Sequence, residues 1–194
     1  MKYFKIKVMY FIDGDRFYRT FLVNPNMKLT DFGCAILTTM FSTLEDDYYF
    51  GKSIIRYLPK NLIREYYESE DKFIGDYRVK DIVDEFSFYY GMDEYEFNCV
   101  VESLEEASDT QDIYLIDGAG IGIWEGNSHT LNSYLWGKLD SEGLEEDYFE
   151  DIYPPKNVKI TKYGDFDTAF NLELMQELFV EIYKVKLFKL VNYK

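Results

Sequence analysis

The residues of this chain that could do chemistry are few and scattered. There is one histidine, His129, with Ser128 immediately before it. A nucleophile and its base must face each other, and adjacent residues on a helix do not. The stretch Gly126-Asn127-Ser128-His129-Thr130 also lacks the second glycine of a nucleophile elbow. His129 therefore reads as a surface or helix-start residue. The two cysteines, Cys34 and Cys99, lie far apart among apolar neighbours. With one histidine they cannot form the common zinc sets, and they read as buried thiols in a reducing cytoplasm. In Asp117-Gly118-Ala119-Gly120-Ile121-Gly122, three glycines follow a strand-like run, as a phosphate loop would require. No Gly-Lys-Ser/Thr follows and acids flank the segment, so a tight structural turn is expected. Asp13-Gly14-Asp15 lacks the remaining oxygen ligands of a calcium loop and reads as a hairpin turn.

What the chain does have is concentrated negative charge. Of a net charge of -15 over 194 residues, the stretch Glu102 to Asp151 holds fourteen acids and one base, Lys138. Such a field bears on partners and solubility rather than on fold. It opposes direct binding to nucleic acid or anionic membranes, which needs clustered Lys and Arg. The densest run, Glu142, Glu145, Glu146, Asp147, Glu150 and Asp151, is interleaved with Tyr148 and Phe149, and Tyr153 follows. One reading is a solvated helix face. The other is a docking surface that imitates phosphate spacing, its acids steering a basic protein and its aromatics adding affinity. Abundant carboxylates also leave open a magnesium site of the kind nucleases use.

The elements that position these residues follow from periodicity. Residues 3–12 and 16–23 read as strands around the Asp13-Gly14-Asp15 turn, and Asn24-Pro25-Asn26 as a second turn. Thr30 is the expected N-cap of a helix over 31–43, since Phe32, Ala35, Ile36, Thr39 and Met40 recur at helical spacing. A strand over Tyr48–Leu58 is ended by Pro59, and short helices are expected at 60–68 and 79–83. Strands follow near 85–90, 94–102 and 112–117, then short helices at 128–137 and 142–150 and a strand at 158–162. Asp167 is the expected cap of an amphipathic helix over 168–182, its stripe formed by Phe170, Leu174, Leu178 and Ile182 with Met175 and Phe179 beside it. The tail 184–192 alternates like a closing strand. Trp124 and Trp136 are expected in the core.

This order lacks a regular βαβ rhythm, which predicts an α+β fold with a mainly antiparallel sheet packed against helices. A hydrophobic fraction of 47% suits one domain over 1–194, with a possible acidic surface insertion at 138–155. No leader peptide or membrane span is expected, because Met1-Lys2-Tyr3-Phe4-Lys5 opens without a long apolar core and no 18-residue apolar run occurs.

Three ordered segments resemble the pRiA4b ORF-like family, which is named after a plasmid reading frame. The first runs from Phe21-Leu22-Val23-Asn24-Pro25 through Leu29-Thr30-Asp31 and Phe41 to Glu45–Phe50. The second is Asp117-Gly118-Ala119-Gly120 with Trp124, Glu125 and Tyr134; the third runs from Gly164 to Asn171, then Met175, Gln176 and Leu178. The resemblance implies an α+β fold with a curved sheet, and an origin on plasmids or other mobile elements. It implies no catalytic residues. Tyr95 and Phe97 stand where the family usually has Trp and His, and Ile123 and Trp124 replace two prolines.

Together these features predict a cytoplasmic, non-enzymatic protein of a mobile genetic element with no cofactor. It would inhibit a basic host defence protein, such as a CRISPR effector or restriction nuclease, in the manner of an anti-CRISPR. Its binding residues would be Glu142, Glu145, Glu146, Asp147, Tyr148, Phe149, Glu150 and Asp151. The alternatives are a carboxylate and magnesium nuclease acting on RNA or DNA, and an accessory assembly protein with an ordinary acidic surface.

Overall fold

A computed structural model describes residues 1–42, 44, 46–66, 68–91, 93–107, 111–120, 122–123, 128–136, 170–177, 179–180 and 183–184. The order of elements is β1 (Lys2–Tyr10), β2 (Tyr18–Val23), α1 (Leu29–Thr39), β3 (Tyr48–Lys52), β4 (Ile55–Leu58), α2 (Lys60–Tyr66), β5 (Lys72–Phe73), β6 (Glu85–Tyr90), β7 (Tyr95–Glu106), β8 (Ile113–Ala119) and α3 (Ser128–Leu135). Among the described residues the strands form one eight-stranded sheet in the order β5-β4-β3-β6-β7-β1-β2-β8. Every pairing is antiparallel except β4 with β5. The fold is thus α+β with a large, mostly antiparallel sheet.

The β1–β2 hairpin forms for a local reason. Asp13 Oδ1 accepts the backbone N–H groups of Asp15 and Arg16, at 3.3 and 3.2 Å, turning the chain through an Asx motif. A second turn at Gly91, with φ of 67°, joins β6 to β7. Alternation then sends one side of each strand inward. Tyr10, Phe17, Phe88 and Phe97 meet there, Tyr10 and Phe97 with ring centroids 5.2 Å apart. Each buried ring of this kind contributes about 1.5–3 kcal/mol.

On that inner face lies α1. Of its eleven residues only Asp31 escapes burial, so the helix is enclosed on all sides. Phe32 packs edge-on to Phe21 of β2 and stacks on Phe50 of β3, joining distant parts of the sheet. The helix opens at Lys28 without a side-chain cap; the predicted cap, Thr30, lies one residue inside it and donates to Asp31 Oδ1 at 3.1 Å.

Two further expectations are corrected. The single strand expected at 48–58 is the β3–β4 hairpin, broken at Ser53, which adopts φ of 56°; the turn residues Ser53 and Ile54 include no glycine or proline, and Gly51 lies inside β3. Residues 172–177, 179–180 and 183–184 are helical, but Asn171 Oδ1 accepts the N–H of Leu174, and the buried line is Met175 and Phe179 with Tyr183 packed alongside. Leu174 is only half-buried; Asp167, Leu178 and Ile182 lie outside the described residues.

Candidate binding surfaces

The end of the sheet beneath the glycine-rich segment is held by Arg19. The inward register of Phe17, Arg19 and Phe21 buries this guanidinium completely. Its Nε donates to the Thr39 carbonyl at 3.0 Å, and its Nη1 donates to the carbonyls of Tyr18 and Ala119, at 2.7 and 2.6 Å. The Phe170 ring lies 4.6 Å from the guanidinium carbon. One cation therefore ties β2, the C-terminal end of α1, the end of β8 and the start of the last helical segment. Thr39 closes α1, where the helix dipole favours positive charge. Burial lowers the guanidinium from its usual value to about 9, the smaller effect of Tyr18 being in the opposite direction.

The glycines serve this packing. A Cβ on Gly118 would stand 2.5 Å from the Phe170 ring and 3.0 Å from Arg19 Cδ, and one on Gly122 would stand 2.4 Å from the Met40 carbonyl oxygen. In place of the expected tight turn over 117–122, Asp117–Ala119 complete β8, Gly120 bends with φ of 71°, and Gly122 packs against the end of α1. Ile121 and 124–127 lie outside the described residues.

The histidine belongs to a short helix held by distant side chains. Glu94 Oε1 accepts the N–H of Ser128 at 3.1 Å, placing a carboxylate at the start of α3. Arg16 Nη1 donates to the Leu135 carbonyl at 3.1 Å, placing a cation at its end. Both charges suit the helix dipole. Between them, the Tyr10 hydroxyl and Asn132 Oδ1 lie 2.5 Å apart, and burial raises the Tyr10 phenol well above its ordinary range. His129 is exposed at the first turn, as expected of a surface or helix-start residue. Trp136, at the end of α3, is 52% exposed, which corrects its expected core position; Trp124 is outside the described residues. Cys34 and Cys99 are buried and form no disulfide with each other, and burial pushes the Cys99 thiol upward, away from the reactive thiolate. Among the described residues no three His, Cys, Asp or Glu side chains gather as a metal site. Likewise no helix among them is long and apolar enough to cross a membrane.

The acidic surface begins on β7. Through Val100 this strand pairs with β6 on one side and β1 on the other; from Val101 to Glu106 the β6 pairing has ended and, among the described residues, only β1 continues. A bulge between Lys5 and Ile6 marks the change. The overhanging ribbon Glu102-Ser103-Leu104-Glu105-Glu106 is exposed at every residue, with Leu104 59% exposed between carboxylates. Lys5 pairs with Glu102 at 3.1 Å, a surface contact worth at most about 1 kcal/mol. Asp112 and Asp117 continue the exposed acids onto β8.

The predicted binding residues Glu142, Glu145, Glu146, Asp147, Tyr148, Phe149, Glu150 and Asp151 all lie outside the described residues. Sequence reading placed the docking surface there and gave no role to the ribbon; the signal was present in Glu102-Ser103-Leu104-Glu105-Glu106, where strict alternation fails. It also missed Arg19, detectable as a cation in phase with Phe17 and Phe21.

No family model matches the chain, and no curated protein sequence matches it. Among solved structures it is similar to a protein of unknown function from Methanosarcina mazei Go1, with a TM-score of 0.65 and 11% sequence identity, over 89% of this chain and 95% of that one. At that identity the likeness shows a shared fold and nothing of activity.

Proposed function

We propose that this chain is a non-enzymatic binding protein that docks on a basic partner through its acidic surface. The observation that carries the reading is the β7 overhang, where Glu102, Glu105 and Glu106 stand exposed around an exposed Leu104. Carboxylates around an apolar contact steer a cationic surface in and then hold it. Through the resemblance to the pRiA4b ORF-like family, the reading extends to a cytoplasmic protein of a mobile element. Its partner is a host RNA-guided or restriction nuclease, inhibited by occupation of its nucleic-acid channel.

The test is capture of a guide-loaded CRISPR effector on the immobilised chain, eluted with a salt gradient. Wild type retains the effector at low salt and releases it as salt rises. Two charge-neutral variants divide the surface. One carries Glu145→Gln, Glu146→Gln, Asp147→Asn and Glu150→Gln; the other carries Glu102→Gln, Glu105→Gln and Glu106→Gln. Inhibition is lost in the first and weakened in the second, with the fold retained. Undiminished inhibition by both variants rules out docking by charge.

A further inference from the structure

The outer edge of β8 carries a second feature. Among the described residues β8 is the last strand of the sheet on its side and nothing pairs with its far edge. The N–H of Asn24 donates to the Asp112 carbonyl, which places Ile113 at the position whose backbone groups point away from β2. Leu115 confirms the outward direction: its carbonyl accepts Gln176 Nε2 at 2.8 Å. A side-chain amide thus stands where the N–H of an added strand would stand. Beside it runs a groove of about 550 Å³, lined by Ile113, Leu115, Phe179 and Val180 and reached by Glu106. Val180 is 42% exposed.

We propose that this edge accepts an extended segment of a partner protein in which apolar residues alternate with Lys or Arg. The inference rests on the reading of the chain as a binder of basic proteins and names the element that the partner contributes. Backbone groups of Ile113 and the N–H of Leu115 supply the ladder, an N–H of the incoming strand displaces Gln176 Nε2 from the Leu115 carbonyl, and the groove takes every second side chain. Charge selects the occupant. Pairing with a second copy would set Glu106 and Asp112, and the whole net charge of -15, against their own kind. A basic strand meets the same acids with the opposite sign.

The probes are synthetic heptapeptides on the intact chain, one alternating Val and Lys, the other alternating Val and Glu. The Val/Lys peptide is expected to slow amide exchange at Ile113 and Leu115 about tenfold, and the Val/Glu peptide to leave it unchanged. Val180→Arg, at an exposed position, is expected to weaken Val/Lys binding about tenfold without shifting the melting temperature. Binding without protection at those two amides, or equal binding by Val180→Arg, overturns the inference. If the guide-loaded effector binds and the Val/Lys peptide does not, the edge proposal falls and the proposed function stands. If neither binds, both fall.

Discussion

The two halves of β7 show how one strand can be built to opposite ends. From Phe97 to Val100 it is flanked by β6 and β1, and Phe97 and Cys99 turn inward. From Glu102 to Glu106 it keeps one neighbour among the described residues, loses its alternation and exposes three carboxylates. A strand with two partners and a covered face must alternate, since a register slip would expose its aromatic side. A strand freed from both constraints can carry charge at nearly every position. The difference teaches where substitution should be costly for folding and where it should touch only binding.

The broadest way to break the contrast is alkali. Burial raises the phenols of Tyr10, Tyr48 and Tyr183 above the ordinary value of 10.0, and all three lie on the core side. A folded-state value above the unfolded one means that the stability is fully present below pH 10.0 and is lost as pH climbs past it. Arg19, lowered to about 9, works the other way, raising stability as pH moves from there toward 12.5, but it is one group against several. Circular dichroism and tyrosinate absorbance followed from pH 9 to 12 should change together. Early tyrosinate formation with retained dichroism would show the core phenols to be accessible.

Single substitutions sharpen the contrast. Phe97→Ala, in the doubly flanked half, should cost about 3–5 kcal/mol in denaturant unfolding. Arg19→Met should cost about 3 kcal/mol or more, because three carbonyls lose their donor in a dry site. A stable Arg19→Met variant would mean that the cation is dispensable to the junction it fills. Gly122→Ala should cost about 1–3 kcal/mol, since the new Cβ must displace the backbone at Met40. Leu104→Ala, on the overhang, should change stability by less than about 0.5 kcal/mol while weakening capture of the basic partner. A large loss of stability there would show that the overhang belongs to the core after all.

What could be read in the sequence was mostly what is local. The Asp13 turn, the Gly91 turn and the alternation of 85–90 are decided by near neighbours, and the hairpins fall where those signals place them. The break at Ser53 carries no such signal. The seating of β1 between β7 and β2 depends on pairs about a hundred residues apart, such as Tyr3 with Glu105, and no short window contains them. Arg19 looks like an ordinary strand cation until the inward faces of β2, α1 and β8 are brought together. For the candidate surface, the concentration of acids was legible from counting alone. The groove beside β8 was not, because Leu115 and Phe179 meet only in the folded chain.

The central seat of β1 has a consequence for synthesis. Its hairpin partner β2 is made directly after it, but its other edge pairs with β7, which ends at Glu106. At ribosomal speeds of about 5–20 residues per second, roughly 5–20 seconds pass before that edge can close. Throughout that interval the nascent hairpin presents a bare ladder and the apolar face of Ile6, Val8 and Tyr10 to whatever is near. Anything that slows translation between β2 and β7 should therefore favour aggregation over the native sheet.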